Sequence, residues 1–157
     1  MSLLSTLQTE CKEHLEAQGY FTPDPVDAQT PPIPVLIESL RDIESQIDVA
    51  VGGLGLCVLL VTPFAGKVLT EVKPPYFEDI TVVARVFENV PINESLPRAS
   101  VVAEAVAWHL HHFRPTGSGA VLGLESITLT DGGDSGLLTY DVTFKTRDGS
   151  LTEPSRT

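Results

Sequence analysis

Apolar residues recur along the chain with two different periods, and the period changes near residue 55. Leu4, Leu7, Cys11 and Leu15 follow steps of three and four while Glu10, Lys12, Glu13 and Glu16 take other faces, so residues 2–18 are expected to form an amphipathic helix. Ser2 or Ser5 is placed to cap its start, and Gly19 to close it in left-handed backbone. Leu40, Ile43, Ile47 and Val51 form a second stripe, which predicts a helix over 39–51 with Ser39 as its cap. Val35-Leu36-Ile37 reads either as a short strand or as the approach to that helix. A third stripe, Val102, Val106, Leu110 and Phe113, predicts a helix capped by Ser100 and running through Phe113, with Trp108 on a neighbouring face.

Elsewhere the pattern is that of strands. Leu56–Val61 is continuously apolar and stops at Thr62-Pro63, as a buried strand does. Lys67–Lys73 alternates weakly and ends at Pro74-Pro75. From Asp79 to Val90, Ile80, Val82, Ala84, Val86 and Glu88 share one face, apolar until its last position. Strands are also expected over 120–130 and 137–146, joined by the turn composition Asp131-Gly132-Gly133-Asp134-Ser135-Gly136. Prolines at 23, 25, 31, 32 and 34 make 22–34 an extended connector, too short to divide the chain. Together these elements predict one α+β domain over residues 1–157: a mostly antiparallel sheet of about four or five strands with helices packed on it. A polar tail, expected to fray, begins at residue 147.

Composition narrows the function classes. The chain has 157 residues, 42% of them apolar, which suits one globular core. Ten Lys and Arg against 21 Asp and Glu leave a formal charge of −11. That balance disfavours a sequence-independent grip on nucleic acid or on anionic lipid, both of which need clustered cations. No apolar run approaches the roughly 20 residues of a membrane span. The first residues carry no basic segment, so no signal peptide is expected. Cys11 and Cys57 lie far apart in apolar contexts and read as buried free thiols.

Motifs for chemistry are sparse. His109 and His112 are three residues apart in Trp108-His109-Leu110-His111-His112 and share a face if the helix continues, but a zinc site needs about three or four ligands. Surface and helix-end roles for these imidazoles are preferred. Gly52-Gly53-Leu54-Gly55 lies between a helix and a strand, the reverse of the strand-to-helix order of a dinucleotide fingerprint. Gly66-Lys67 lacks the pattern of a phosphate loop. Asp131, Asp134 and Asp141 lack the spacing of a calcium loop, and there is no G-x-S-x-G elbow. Neither an enzyme class nor a cofactor or metal is indicated.

The second half of the chain has a recognisable order. The run Val83-Ala84-Arg85-Val86-Phe87-Glu88-Asn89-Val90-Pro91-Ile92-Asn93 is followed by Ala103-Glu104-Ala105-Val106-Ala107-Trp108-His109-Leu110-His111-His112-Phe113-Arg114-Pro115. Leu138-Thr139-Tyr140-Asp141-Val142-Thr143-Phe144-Lys145-Thr146 closes it. Over residues 80–146 this resembles the tail terminator (tail completion) proteins of long-tailed bacteriophages, those related to minor tail protein U. In that pattern a strand and loop V-x-V-x-E-N-P-x-x-N precedes a helix ending in L-H-x-W/F-x-P and a final Y-x-V-x-F-x-T strand. Here Val90 separates Asn89 from Pro91, and Phe113 takes the aromatic place.

The resemblance implies a structural virion protein rather than an enzyme. Such a subunit closes into a ring, usually a hexamer, on the head-proximal end of the tail tube, ends tube polymerisation and offers the docking surface for the head connector. The implied partners are therefore copies of itself, the tail tube protein and the head-completion protein, with DNA only as cargo passing the lumen and no membrane contact. It also implies assembly in the host cytoplasm and residence in the virion neck. Arg85, Glu88, Asn93 and Arg98 are the candidate subunit or tube contacts, together with the connector and the 91–97 loop. Two other functions compete: a head–tail connector or tube-like component, and a cytosolic small-ligand or metal-binding regulator using His109 and His112.

Overall fold

The computed structural model describes residues 3–22, 31–39, 41–66, 68–69, 76–77, 79–115, 121–134, 136–146 and 149–150. In chain order the elements are α1 (Leu3–Glu16), β1 (Val35–Ile37), α2 (Ile43–Gly53), β2 (Leu56–Leu60), β3 (Phe64–Ala65), β4 (Val68–Leu69) and β5 (Tyr76–Phe77). They are followed by β6 (Ile80–Glu88), α3 (Ala99–Leu110), β7 (Gly123–Gly132), β8 (Leu138–Thr146) and β9 (Gly149–Ser150). Six strands form the main sheet in the order β1-β2-β6-β8-β7, with β3 also paired to β6, and β4-β5-β9 form a small second sheet. Among the described residues β1 and β2 run parallel, as the intervening helix α2 permits, and the other pairs are antiparallel. The expected α+β class holds.

Strand alternation sorts the side chains onto two faces. Leu56, Val58 and Leu60 of β2, Ile80, Val82, Ala84 and Val86 of β6, and Val142 and Phe144 of β8 join one buried cluster with Leu3, Leu7, Cys11 and Leu15 of α1. Val102, Ala103, Val106 and Leu110 of α3 complete it. Among the described residues the opposite face carries α2, whose Ala50 and Val51 pack on Cys57 with Leu36, Ile47 and Phe87 around them. Because β2 is covered on both sides, all five of its residues are buried, which explains its unbroken apolar run.

Several local expectations are corrected. α1 ends at Glu16, and Gly19 is not in left-handed backbone; the chain leaves through successive turns in which Gln18 N–H donates to Leu15 O and Phe21 N–H to Gln18 O. Ser39 does not cap α2, which begins four residues later after Asp42; its hydroxyl donates instead to Gln8 Oε1. α3 starts at Ala99 and stops at Leu110, short of Phe113. The last turn gives way to His112 at φ 67, whose N–H donates to Leu122 O and ties the helix end to the chain entering β7. The polar tail is partly engaged, since Gly149–Ser150 pairs with β5. The open reading of 35–37 resolves as strand β1. Most of the proline connector and most of the expected 67–73 strand lie outside the described residues.

Candidate functional site: a braced loop at the end of β6

β6 ends at Glu88, on the same face as the main core, so the period of two that buries Val82, Ala84 and Val86 also buries a carboxylate. Its side chain is 1% exposed. An ionised carboxylate so placed needs several donors. Three are supplied. Asn93 Nδ2 donates to Oε2 at 2.7 Å, Arg98 Nη1 reaches the same oxygen at 3.3 Å, and the Ala99 N–H donates to Oε1 at 3.2 Å. Ala99 is the first residue of α3, so Glu88 does the capping that was expected of Ser100, and it places its charge where the helix dipole favours an anion.

Asn93 extends the network into the loop itself. Its Nδ2 also donates to Pro97 O at 3.1 Å, and its Oδ1 accepts the Leu96 N–H at 3.0 Å. Leu96 is buried in the main core and pins the loop's return. From the other side the loop rests on Gly55, the residue just before β2. Asn89 N–H donates to Gly55 O at 2.8 Å. Gly55 sits at φ +83, and a Cβ there would lie 2.5 Å from the Asn93 nitrogen. Only glycine tolerates both the left-handed backbone and the approach. What this bracing holds outward is a short apolar crest: Val90 and Ile92 are 43% and 41% exposed, with Pro91 exposed between them.

Three of the four sequence candidates, Glu88, Asn93 and Arg98, therefore meet in one network, but two of them are internal. Glu88 and Asn93 are buried, and their polar atoms are used within the chain. Arg98 is 60% exposed on its side chain and is the network's one outward-facing charge. Arg85 is not part of the site. It lies on the opposite face of β6, directly across from Asp141, with a two-pronged pair of Nε to Oδ1 at 2.8 Å and Nη2 to Oδ2 at 3.1 Å. Hydrogen bonding to Asp141 raises the Arg85 pKa further, against a smaller opposing effect of burial.

The histidines fall into two pairs, His14 with His109 and His111 with His112, whose rings lie 4.0 Å apart. His14 stacks on Phe113 at 4.1 Å, and its Nε2 lies 3.0 Å from His109 O. Burial, with His14 nearby, holds the His109 pKa below its ordinary value. His111 Nδ1 accepts the Leu124 N–H. With the helix ended at Leu110, His109 and His112 share no helical face. Among the described residues no group of three or more His, Cys, Asp or Glu gathers as a metal site, and no helix is long and apolar enough to cross a membrane. Both thiols are buried, and burial raises each pKa to about 12.

Compared with protein-family models and with curated proteins, the chain matches none. Sequence reasoning singled out the 91–97 loop by position but missed Gly55 and Leu96 as its supports. Glu88 on an otherwise apolar strand face, followed five residues later by Asn93, was the available signal for the network.

Proposed function

We propose that this protein is a structural subunit that acts by surface matching, and that it forms a ring on the head-proximal end of a phage tail tube, stopping tube growth and presenting a face to the head connector. One observation carries the reading: an apolar crest, Val90-Pro91-Ile92, is held outward by a loop whose buried carboxylate, amide and glycine fix its shape before any partner arrives. Preorganised loops lose little conformational freedom on docking, which is what an assembly contact requires. In the ring, each subunit's loop meets its neighbour or the tube in a head-to-tail contact that closes after a fixed rotation. Arg98 sits at the crest's base to set register by charge. The choice of the tail tube as partner rests on the resemblance of residues 80–146 to tail terminators.

The test is tube capping. Purified protein is added to polymerising tail tube protein from the same phage or prophage, and tube ends are scored by electron microscopy. The wild type should arrest growth and leave a collar at one end. A Val90→Asp, Ile92→Asp double variant should fold normally and lose both effects. Unchanged tube length with wild-type protein overturns the proposal.

A further inference from the structure

The main sheet is wider than the helices laid on it. α1 and α3 share the buried cluster with β2, β6 and β8, while β7 stands outside that cluster at the margin of the sheet. Leu124, Ile127 and Leu129 pair with Phe144, Val142 and Tyr140 of β8 and so lie on the core face. Strict alternation would put Leu124 and Ile127 on opposite faces; a bulge at Glu125 supplies the extra residue that keeps them together. The three side chains remain 38%, 41% and 51% exposed. α3 meets them with a stripe of its own. Val101, Glu104 and Trp108 follow steps of three and four on its solvent face, and Trp108 is 81% exposed. Between helix and strand, Glu104, Ala107, Trp108, His111, Leu124 and Ile127 line an open groove of about 410 Å³. His111 Nδ1 accepts the Leu124 N–H at 3.1 Å and ties the end of α3 to the strand, so the groove is formed before anything enters it.

One charge stands in this apolar setting. Among the described residues Glu104 makes no hydrogen bond or ion pair, whereas Arg85, Arg98 and Lys145 answer Asp141, Glu88 and Glu125. The chain as a whole carries −11. Charge complementarity therefore selects an occupant that is apolar along its length and cationic at one point, and it disfavours both a phosphate-bearing ligand and a second copy of this acidic chain. We propose that the groove docks a basic segment of another protein, an arginine flanked by aliphatic residues, with its guanidinium between the Trp108 ring and the Glu104 carboxylate and its neighbours on Leu124 and Ile127. Glu104 and Trp108 are four apart on the helix, a spacing that sets their Cβ atoms about 5–6 Å apart. A cation held by the carboxylate then falls within the roughly 6 Å of a ring centroid at which cation–π attraction acts. Arginine suits this better than lysine, because its planar and weakly hydrated head stacks on an indole while its fork meets a carboxylate. No residue of the 89–98 loop takes part, and the site is independent of the tail-tube reading.

Trp108 is the only tryptophan in the chain, so its fluorescence reads this groove directly. The probe is the peptide acetyl-Leu-Arg-Leu-amide, and its citrulline counterpart keeps the shape without the charge. The arginine peptide should shift the Trp108 emission and saturate with a dissociation constant of about 1 mM or tighter. The citrulline peptide should bind about three- to thirtyfold more weakly, the loss expected from an exposed cation–π contact and a surface ion pair together. Glu104→Lys, at an exposed position, should weaken the arginine peptide about fivefold or more and leave the citrulline peptide within about twofold of its wild-type affinity. Loss of folding would weaken both alike, so the difference between the two peptides reads the charge itself. No saturable change up to about 10 mM arginine peptide, equal binding of the citrulline peptide, or a Glu104→Lys variant that spares the arginine peptide or weakens both alike overturns the proposal. So does Trp108 emission that shifts with protein concentration alone, which puts a second copy in the groove. The titration contains no tail tube protein, so its result stands apart from the capping test.

Discussion

Replacing Glu88 with glutamine keeps the size and shape of the side chain but removes the charge that organises the loop. The amide oxygen can retain the Ala99 N–H, held at 3.2 Å in the native chain. The amide nitrogen then faces Asn93 Nδ2 and Arg98 Nη1, both donors that lie 2.7 and 3.3 Å from the native oxygen, so Asn93 keeps only its bond to Pro97 O and Arg98 turns to solvent. Losing the buried charged hydrogen bond from Asn93 costs about 1.5–3 kcal/mol. Losing the anion at the start of α3 costs about 0.3–1 kcal/mol more. The Arg98 contact adds little, because its guanidinium is largely in solvent. The sum is about 2–4 kcal/mol, or a fall in Tm of roughly 5–15 °C for a chain of this size. Urea unfolding at fixed pH reads the global loss, and hydrogen exchange at the Leu96 and Ala99 amides reads the local one. Adding Asn93→Ala to the variant should cost far less than adding it to the wild type, since the shared bond is already gone. A loss below about 0.5 kcal/mol, or strictly additive costs, would refute the idea that Glu88 braces the loop.

Three further outcomes follow from the structure. Gly55→Ala should destabilise by about 2–4 kcal/mol, combining left-handed strain with a displaced Asn93 backbone; a variant that melts within about 1 °C of the wild type contradicts the close approach. In the native state neither thiol should react with a disulfide reagent at neutral pH, while both should react in urea. The same thiols set an alkaline limit. Their folded pKa of about 12 exceeds the ordinary 9.0, so the unfolded chain loses its protons first, and stability is complete below pH 9 and declines above it. Each thiol contributes about 1.4 kcal/mol per pH unit in that window, so Cys57→Ala should halve the thiol-dependent slope, and an unchanged slope rules this origin out.

Sequence periodicity located the three helices and the long strands because burial on one face is written directly into i, i+2 and i, i+3/i+4 spacing. β6 was legible for that reason, and so was the β7–β8 hairpin, where Gly133 and Gly136 take φ values of 102 and 98. Helix ends were less legible. Ser39 and Ser100 have the side chains of caps, yet Asp42 and Arg98 precede the helices, and the cap of α3 comes from Glu88, eleven residues upstream and on another element. A cap supplied across space leaves no local trace. Glu88, Asn93 and Arg98 were found as candidates, but as subunit or tube contacts rather than as a buried brace, since one sequence does not reveal which side of a strand's end is enclosed. Trp108 was placed on a neighbouring helix face. Its exposure depends on how far α3 extends over β7, which is a matter of sheet width and packing rather than of residue spacing.

Where Asn93 lies on Gly55, main chain rests on main chain, and no side-chain rotamer stands between them to be exchanged. The consequence is a division of labour in what substitution can alter. Positions 55, 88 and 93 admit almost no change without unseating the loop, whereas 90 to 92 project outward and can be rewritten at little cost to folding. A molecule built this way can be refitted to a different counterpart by exchanging three residues, its architecture left intact.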